Sequence, residues 1–174
     1  MPDLTTGRYY LRAPAPEDVA DITEACQSPG FTRWTRLTPD YTLENAQKFI
    51  KRDDPLRPSW MALDAVTGRV SGWVGLFLDA HDDAQAEIGY WVAPWAQGRG
   101  AATESSAAVV RFAFAELGIY RLQLVHAAPH AASCAVARRL GFPLEGVLRG
   151  AWFKLGERQD VELHARLATD PDPS

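Results

Sequence analysis

The order of apolar runs and turn signals predicts a mixed α/β (α+β) domain around one mostly antiparallel sheet, with about seven strands and about four helices. Three observations carry that prediction. Thr67-Gly68 and Asp82-Asp83 separate three apolar runs, at 60–65, 70–78 and 86–92, which suits an antiparallel meander. A helix-period segment at 98–117 lies between the third run and another at 121–127, an order that asks for a locally parallel strand pair. The chain has 174 residues, 47% hydrophobic and 23% charged, enough for one domain with a sizeable core. The domain is expected to span 1–168. The tail at 169–174, with its alternating Asp and Pro, is expected to be disordered.

Each element has its own signal. Residues 8–12 form an aromatic-rich strand, stopped by Pro14 and Pro16. A helix opens near Glu17 with acidic residues in its first turn, shows Val19, Ile22, Thr23 and Cys26 as a stripe, and ends at Pro29-Gly30. Residues 31–41 read as loop or short helix. Thr42 is a candidate N-cap with Asn45 in the reciprocal capping position, ahead of Leu43, Ala46, Phe49 and Ile50 on the next helix. In the long helix Val109, Phe112, Ala113, Glu116 and Leu117 recur at three- and four-residue steps, and Gly118 suits its C-cap. A strand follows at 121–127, then a short helix at 131–140 ended by Gly141. Runs at 144–153 and 159–167 close the order, turned by Gly156-Glu157.

Composition narrows the function classes. Net charge is −4 (18 Lys and Arg against 22 Asp and Glu) and no basic run is present, so no nucleic-acid partner is expected. No apolar run reaches the length of a membrane span and no leader pattern opens the chain, so a cytoplasmic protein without membrane attachment is expected. Cys26 and Cys134 make neither a disulfide framework nor a zinc motif and read as thiols in the packed interior. His81, His126, His130 and His164 lack metal-ligand spacing, so no metal is expected. His81 reads as a turn residue, and His126 and His164 as packed strand residues.

The most informative stretch is 87–104, where an apolar strand enters a small-residue loop that opens the long helix. Gln97, Gly98, Arg99, Gly100, Ala101 and Ala102 stand where helix N–H groups lack intrahelical partners and the dipole is positive. Glycines allow close approach, and such a loop suits a pyrophosphate. The P-loop lysine is missing, and so is the third glycine of a dinucleotide fingerprint. Taken locally, the two glycines could equally make a plain strand-to-helix turn.

The surroundings decide further. Gln97-x-x-Gly100-x-Ala102 resembles the acyl-CoA signature of the GNAT superfamily of N-acetyltransferases, Gln/Arg-x-x-Gly-x-Gly/Ala. The likeness extends to Leu11-Arg12-Ala13-Pro14, Glu87-Ile88-Gly89-Tyr90-Trp91-Val92, Ala102-Thr103-Glu104, Ser133 to Gly141-Phe142, Glu145 to Arg149 and 160–167. These blocks, in order over nearly the whole chain, resemble the RimJ/RimL-like branch that acetylates N-terminal amines of ribosomal proteins. The resemblance implies a GNAT fold, splayed between its fourth and fifth strands (86–92 and 121–127), with acetyl-CoA as co-substrate and no metal. It implies cofactor contacts from Tyr90, Trp91, Val92, Gln97, Gly98, Arg99, Gly100, Ala101, Ala102, Thr103, His130 and Ser133. Three positions depart from the pattern: His130 replaces the usual Asn, Ala137 the usual Tyr acid, and Trp152 a Glu of some RimL-like enzymes.

Acetyl transfer needs a neutral amine. An α-amine with a pKa of ~7.8 is about 10% neutral at pH 7, whereas a lysine at ~10.4 is penalised by about 4.6 kcal/mol. Glu87 is the preferred base, through water, with a plain edge-strand role as its alternative. The Val92 N–H is the expected oxyanion donor. Ser133 matches the family position that assists the thiolate; its alternative is a helix-start hydroxyl. Trp34, Tyr41 and Trp152 are the candidate acceptor pocket, against the default that aromatics fill the core. The expected function is acetyl transfer to a primary amine, either a protein N-terminus or a small molecule, in a ternary complex. A non-catalytic acyl-CoA-binding module is the alternative. The branch contains dimers, and the sequence fits a monomer or a homodimer.

Overall fold

The computed structural model describes residues 1–35, 37 and 40–173. Eight strands form one sheet: β1 (Leu4–Thr5), β2 (Tyr9–Arg12), β3 (Ser59–Asp64), β4 (Val70–Leu78), β5 (Gln85–Val92), β6 (Arg121–Ala127), β7 (Leu144–Lys154) and β8 (Glu157–Leu167). Five α-helices accompany them: α1 (Val19–Gln27), α2 (Phe31–Trp34), α3 (Leu43–Ile50), α4 (Ala101–Ala115) and α5 (Ala131–Arg139). The strand order is β1-β2-β3-β4-β5-β6-β8-β7, antiparallel at every step except β5–β6. The fold class is the expected one. The counts are higher by β1, which lies along β2, and by the single-turn helix α2.

Local chemistry accounts for the helix ends. Thr42 accepts from the Asn45 N–H at 3.3 Å, and Asn45 Oδ1 accepts from the Thr42 N–H at 2.8 Å, so the reciprocal cap forms with Asn in the usual Glu place. Gly100, at φ 82°, starts α4, and Gly118, at φ 68°, follows its end. Alternation along the strands divides the apolar residues between two faces. On one face α4 packs through Val109, Val110 and Ala113 against Leu11, Trp60, Leu76, Ile88 and Leu122. On the other, α1 and α3 cover Met61 and Val70 with Ile22, Cys26 and Ala46, joined by Tyr41 just ahead of α3.

The sheet opens in its middle. β5 and β6 pair only through Gln85–Arg121, Ala86–Leu122 and Glu87–Gln123, yet β5 runs on to Val92 and β6 to Ala127. Beyond Glu87 the two strands diverge, which is the expected splay. In the expected tail, Arg166 donates to Asp172 Oδ1 at 2.7 Å and the Leu167 N–H to Asp170 Oδ2 at 2.9 Å, while Ser174 lies outside the described residues. No helix among the described residues is long and apolar enough to cross a membrane.

Candidate functional site

A cleft of about 1580 Å³ passes through the sheet opening and reaches both faces. The ladder geometry of β5 determines what it presents there. The Asp79 N–H bonds the Gln85 carbonyl and the Ala93 N–H bonds the Ser71 carbonyl. Odd-numbered residues of β5 therefore bond β4, and the main-chain groups of Tyr90 and Val92 point away from β4, toward the split. Side chains alternate in the same way. Glu87, Gly89 and Trp91 share the α1/α3 face, and Ile88, Tyr90 and Val92 the α4 face.

At one end of the cleft lies the glycine loop. Gly98 (φ 73°) and Gly100 (φ 82°) both adopt left-handed conformations. The first α4 bond runs from the Glu104 N–H to the Gly100 carbonyl at 2.9 Å, and Gly100 offers no side-chain cap. The N–H groups of Ala101, Ala102 and Thr103 thus have no intrahelical acceptor. Gln97, Gly98, Gly100, Ala101, Ala102 and Thr103 all line the cleft. The exposed Arg99 does not; its carbonyl accepts from the Tyr9 hydroxyl at 3.2 Å, which braces the loop on β2. Arg8 donates from Nε to Glu104 Oε1 at 3.0 Å and packs against Gly100. This cation beside the loop is absent from the sequence reading, because 96 residues separate Arg8 from Glu104.

Within the split, Ser133 Oγ lies 2.9 Å from His130 Nδ1, and the His130 ring stacks on Trp34 with centroids 4.6 Å apart and planes at 3°. Burial, then the neighbouring His126, lowers the His130 pKa, favouring the neutral imidazole; in its Nδ1–H tautomer the ring donates to Ser133 Oγ and leaves the Ser133 hydroxyl hydrogen free. The Tyr90 hydroxyl is buried close to Ser133 yet makes no hydrogen bond of ordinary geometry among the described residues. Burial pushes its pKa up to about 12, against a small opposing influence of Ser133, so the phenol stays a donor at neutral pH.

The opposite side of the cleft is aromatic. Trp34, Tyr41, Trp91 and Trp152 line it, and Trp91 meets Phe31 edge-on at 5.6 Å. Tyr41 is also a core residue, 7% exposed, and its hydroxyl engages Cys26, whose thiol burial pushes up to about 12. Its ring can shape the pocket, whereas its hydroxyl is already committed. Glu87 lines the cleft at the last paired position before the strands diverge.

Comparison with known proteins agrees with this architecture. The Acetyltransferase (GNAT) domain model matches residues 8–143. The uncharacterized N-acetyltransferase YoaA of Bacillus subtilis is 28% identical over 170 residues, covering 95% of this chain and 96% of its own. The ribosomal-protein-S5-alanine acetyltransferase of Vibrio fischeri has a similar fold, with TM-score 0.86 at 16% identity over 99% of this chain and 100% of that one. So does the spermidine N-acetyltransferase of Vibrio cholerae, solved with CoA and spermine, with TM-score 0.83 at 21% identity over 94% of this chain and 98% of that one. A sheet split at β5–β6, a left-handed glycine loop opening α4 and a family match over most of the chain lead to one conclusion: the chain belongs to the GNAT family of N-acetyltransferases and is an acyltransferase.

Proposed function

We propose that the chain transfers an acetyl group from acetyl-CoA to a primary amine, with a peptide or protein N-terminus preferred over a polyamine, by direct attack in a ternary complex. The observation that carries this reading is convergence: the glycine loop, the main-chain donors of the split and Glu87 all face one cleft. The residues fit acetyl-CoA. Unpaired N–H groups at Ala101–Thr103 suit its pyrophosphate, and the Tyr90 N–H suits an extended pantetheine arm. His130 takes the place of the usual Asn at that arm.

The amine nitrogen attacks the thioester carbonyl and forms the N–C bond. The Val92 N–H stabilises the oxyanion, and Glu87 takes the amine proton through water. As the C–S bond breaks, Ser133 supplies a hydrogen bond to the thiolate, with the Tyr90 phenol as a second donor beside it. A thiol pKa of ~8.5 limits what such a donor adds at pH 7 to about 30-fold. Ser133→Ala is expected to lower kcat by no more than that and to leave CoA affinity near normal. A larger fall in steady-state turnover would assign Ser133 a further role.

Charge separates the acceptor classes. The described lining residues include Asp53, Asp54 and Glu87 but also Arg52, Arg57 and Arg139, so the cleft offers no excess of negative charge to a polycation. An α-amine also requires the weaker base. The V. fischeri and V. cholerae proteins, named for a ribosomal protein and for spermidine, represent the two alternatives. A screen of peptide N-termini, polyamines and other small amines, read by thiol release, tests the proposal. Turnover confined to polyamines would reverse the preference, and no release with any amine despite CoA binding would overturn the transfer itself.

His130→Asn restores the usual family residue at the pantetheine arm. It is expected to change kcat/KM by less than about tenfold. The loss of the Trp34 stack should appear in the acceptor KM before the acetyl-CoA KM. A loss of kcat at unchanged KM would show that His130 has chemistry of its own.

A further inference from the structure

Away from the proposed reaction, the fold assembles a second cluster of chemically capable groups: His126 on β6, Cys134 on α5, and Glu162 and His164 on β8. Their ligand atoms all lie within 4.8 Å of one another. His126 stands opposite Glu162 in the β6–β8 ladder and His164 follows two residues later, so the three share one sheet face. α5 crosses that face and brings Cys134. The sequence contains no such motif because the ligands come from three elements.

We propose that these four residues form a binding site for a divalent transition ion, with Zn²⁺ the best match to two imidazoles, a thiolate and a carboxylate. Three observations support it. First, both histidines are oriented as metal ligands are. His126 Nδ1 lies 3.0 Å from the Ala127 carbonyl and His164 Nδ1 lies 3.1 Å from the Phe142 carbonyl. A carbonyl only accepts, so each Nδ1 carries the hydrogen and each ring turns Nε2, the atom that would ligate a metal, inward. Second, the inward atoms are spaced for a cation. The two Nε2 atoms are 3.2 Å apart, closer than the 5.1 Å between ring centres. Glu162 Oε2 lies 3.4 Å from His164 Nε2 and 3.5 Å from His126 Nε2. Zn–ligand bonds of about 2.0–2.2 Å in a tetrahedron place such donors about 3.3–3.6 Å apart. Two Nε2 atoms and a carboxylate oxygen thus converge on one point, which a single bound cation would satisfy together. Third, charge balances. A thiolate and a carboxylate neutralise a divalent ion, which suits a site whose histidines are 3% and 1% exposed.

Access is open, since His126 lines the cleft and both Cys134 and Glu162 are only half-buried. Four protein ligands complete a tetrahedral shell, so the ion would be structural. It would fasten the start of α5, and with it Ser133, to β6 and β8.

Chelator-stripped protein titrated with Zn²⁺ tests this directly. One equivalent is expected to bind, and unfolding should shift to higher temperature as it does. Cobalt in its place should give the visible bands of a tetrahedral ion and a near-ultraviolet thiolate-to-cobalt band. Cys134→Ser should abolish the thiolate band, and Cys134→Ser or Glu162→Gln should each weaken binding about 100-fold or more, since even residues that merely support ligands matter 10–100-fold. Both substitutions are at half-buried positions, and circular dichroism of the metal-free variants checks that they fold. Substoichiometric binding, or stoichiometric binding that neither substitution weakens, would overturn the proposal. Neither result bears on acetyl transfer, which the thiol-release screen measures separately.

Discussion

Glu87→Gln is expected to lower kcat at pH 7 by about 100-fold, the lower end of what general-base catalysis contributes, while leaving CoA affinity within about twofold of normal. The asymmetry follows from β5. Glu87 shares the α1/α3 face with Gly89 and Trp91, on the aromatic side of the cleft, whereas the glycine loop opens α4 on the other face. Gln keeps the shape and loses the ability to take a proton. The lower end of the range is expected because an α-amine with a pKa of ~7.8 is already about 10% neutral at pH 7. Solvent then supplies part of the deprotonation that Glu87 assists.

The pH profile of the variant carries the sharper information. With an α-amine acceptor its rate should climb until the amine is neutral, levelling near pH 8; with an alkylamine the climb should continue toward ~10.4. A variant whose kcat matches wild type at every pH would remove Glu87 from the mechanism and leave it as a structural residue of β5 at the mouth of the split. A variant that loses CoA binding instead would show that Glu87 organises the split.

Contiguity determines how much of this was legible in the sequence. The glycine loop, the Val92 position and Glu87 lie within eighteen consecutive residues, so spacing alone places them around one strand end and one helix start. The α3 cap was legible for the same reason, with Thr42 and Asn45 three residues apart. What escaped are contacts that only strand register and helix packing create. Tyr9 reaches the Arg99 carbonyl across 90 positions, and Arg8 reaches Glu104 across 96. Trp34 and His130 were each singled out, one for the acceptor and one for the cofactor, but no pattern announces that their rings stack. The same holds for His126 and His164, which read singly as packed strand residues and face each other only once β6 and β8 pair. β1 was missed because a two-residue strand carries no periodicity.

Gly100→Val should weaken CoA binding by about 10–100-fold, for reasons that lie in the backbone before any ligand arrives. At φ 82° an L-residue is strained by about 1–2 kcal/mol, and a β-branched side chain by more. A Cβ at Gly100 would stand 2.9 Å from Arg8 Nη2 and 3.1 Å from Glu104 Oε1, so the Arg8–Glu104 pair must move as well. Any relief that rotates Gly100 out of the left-handed region also turns the N–H groups of Ala101–Thr103 away from the cleft. The loss of one charge-assisted hydrogen bond to a pyrophosphate, about 1.5–3 kcal/mol, gives the stated range. Gly98→Ala is the control. It is strained at φ 73° but has open space around its Cβ, so it should lower stability modestly and affinity less than Gly100→Val. A truncated acetyl thioester lacking the nucleotide and pyrophosphate separates the cradle from general damage. If Gly98 to Thr103 hold the pyrophosphate, Gly100→Val should impair acetyl-CoA turnover while sparing the truncated donor. Equal impairment of both donors would mean that the substitution disturbs α4 and the split as a whole, and that the glycines serve only as a turn.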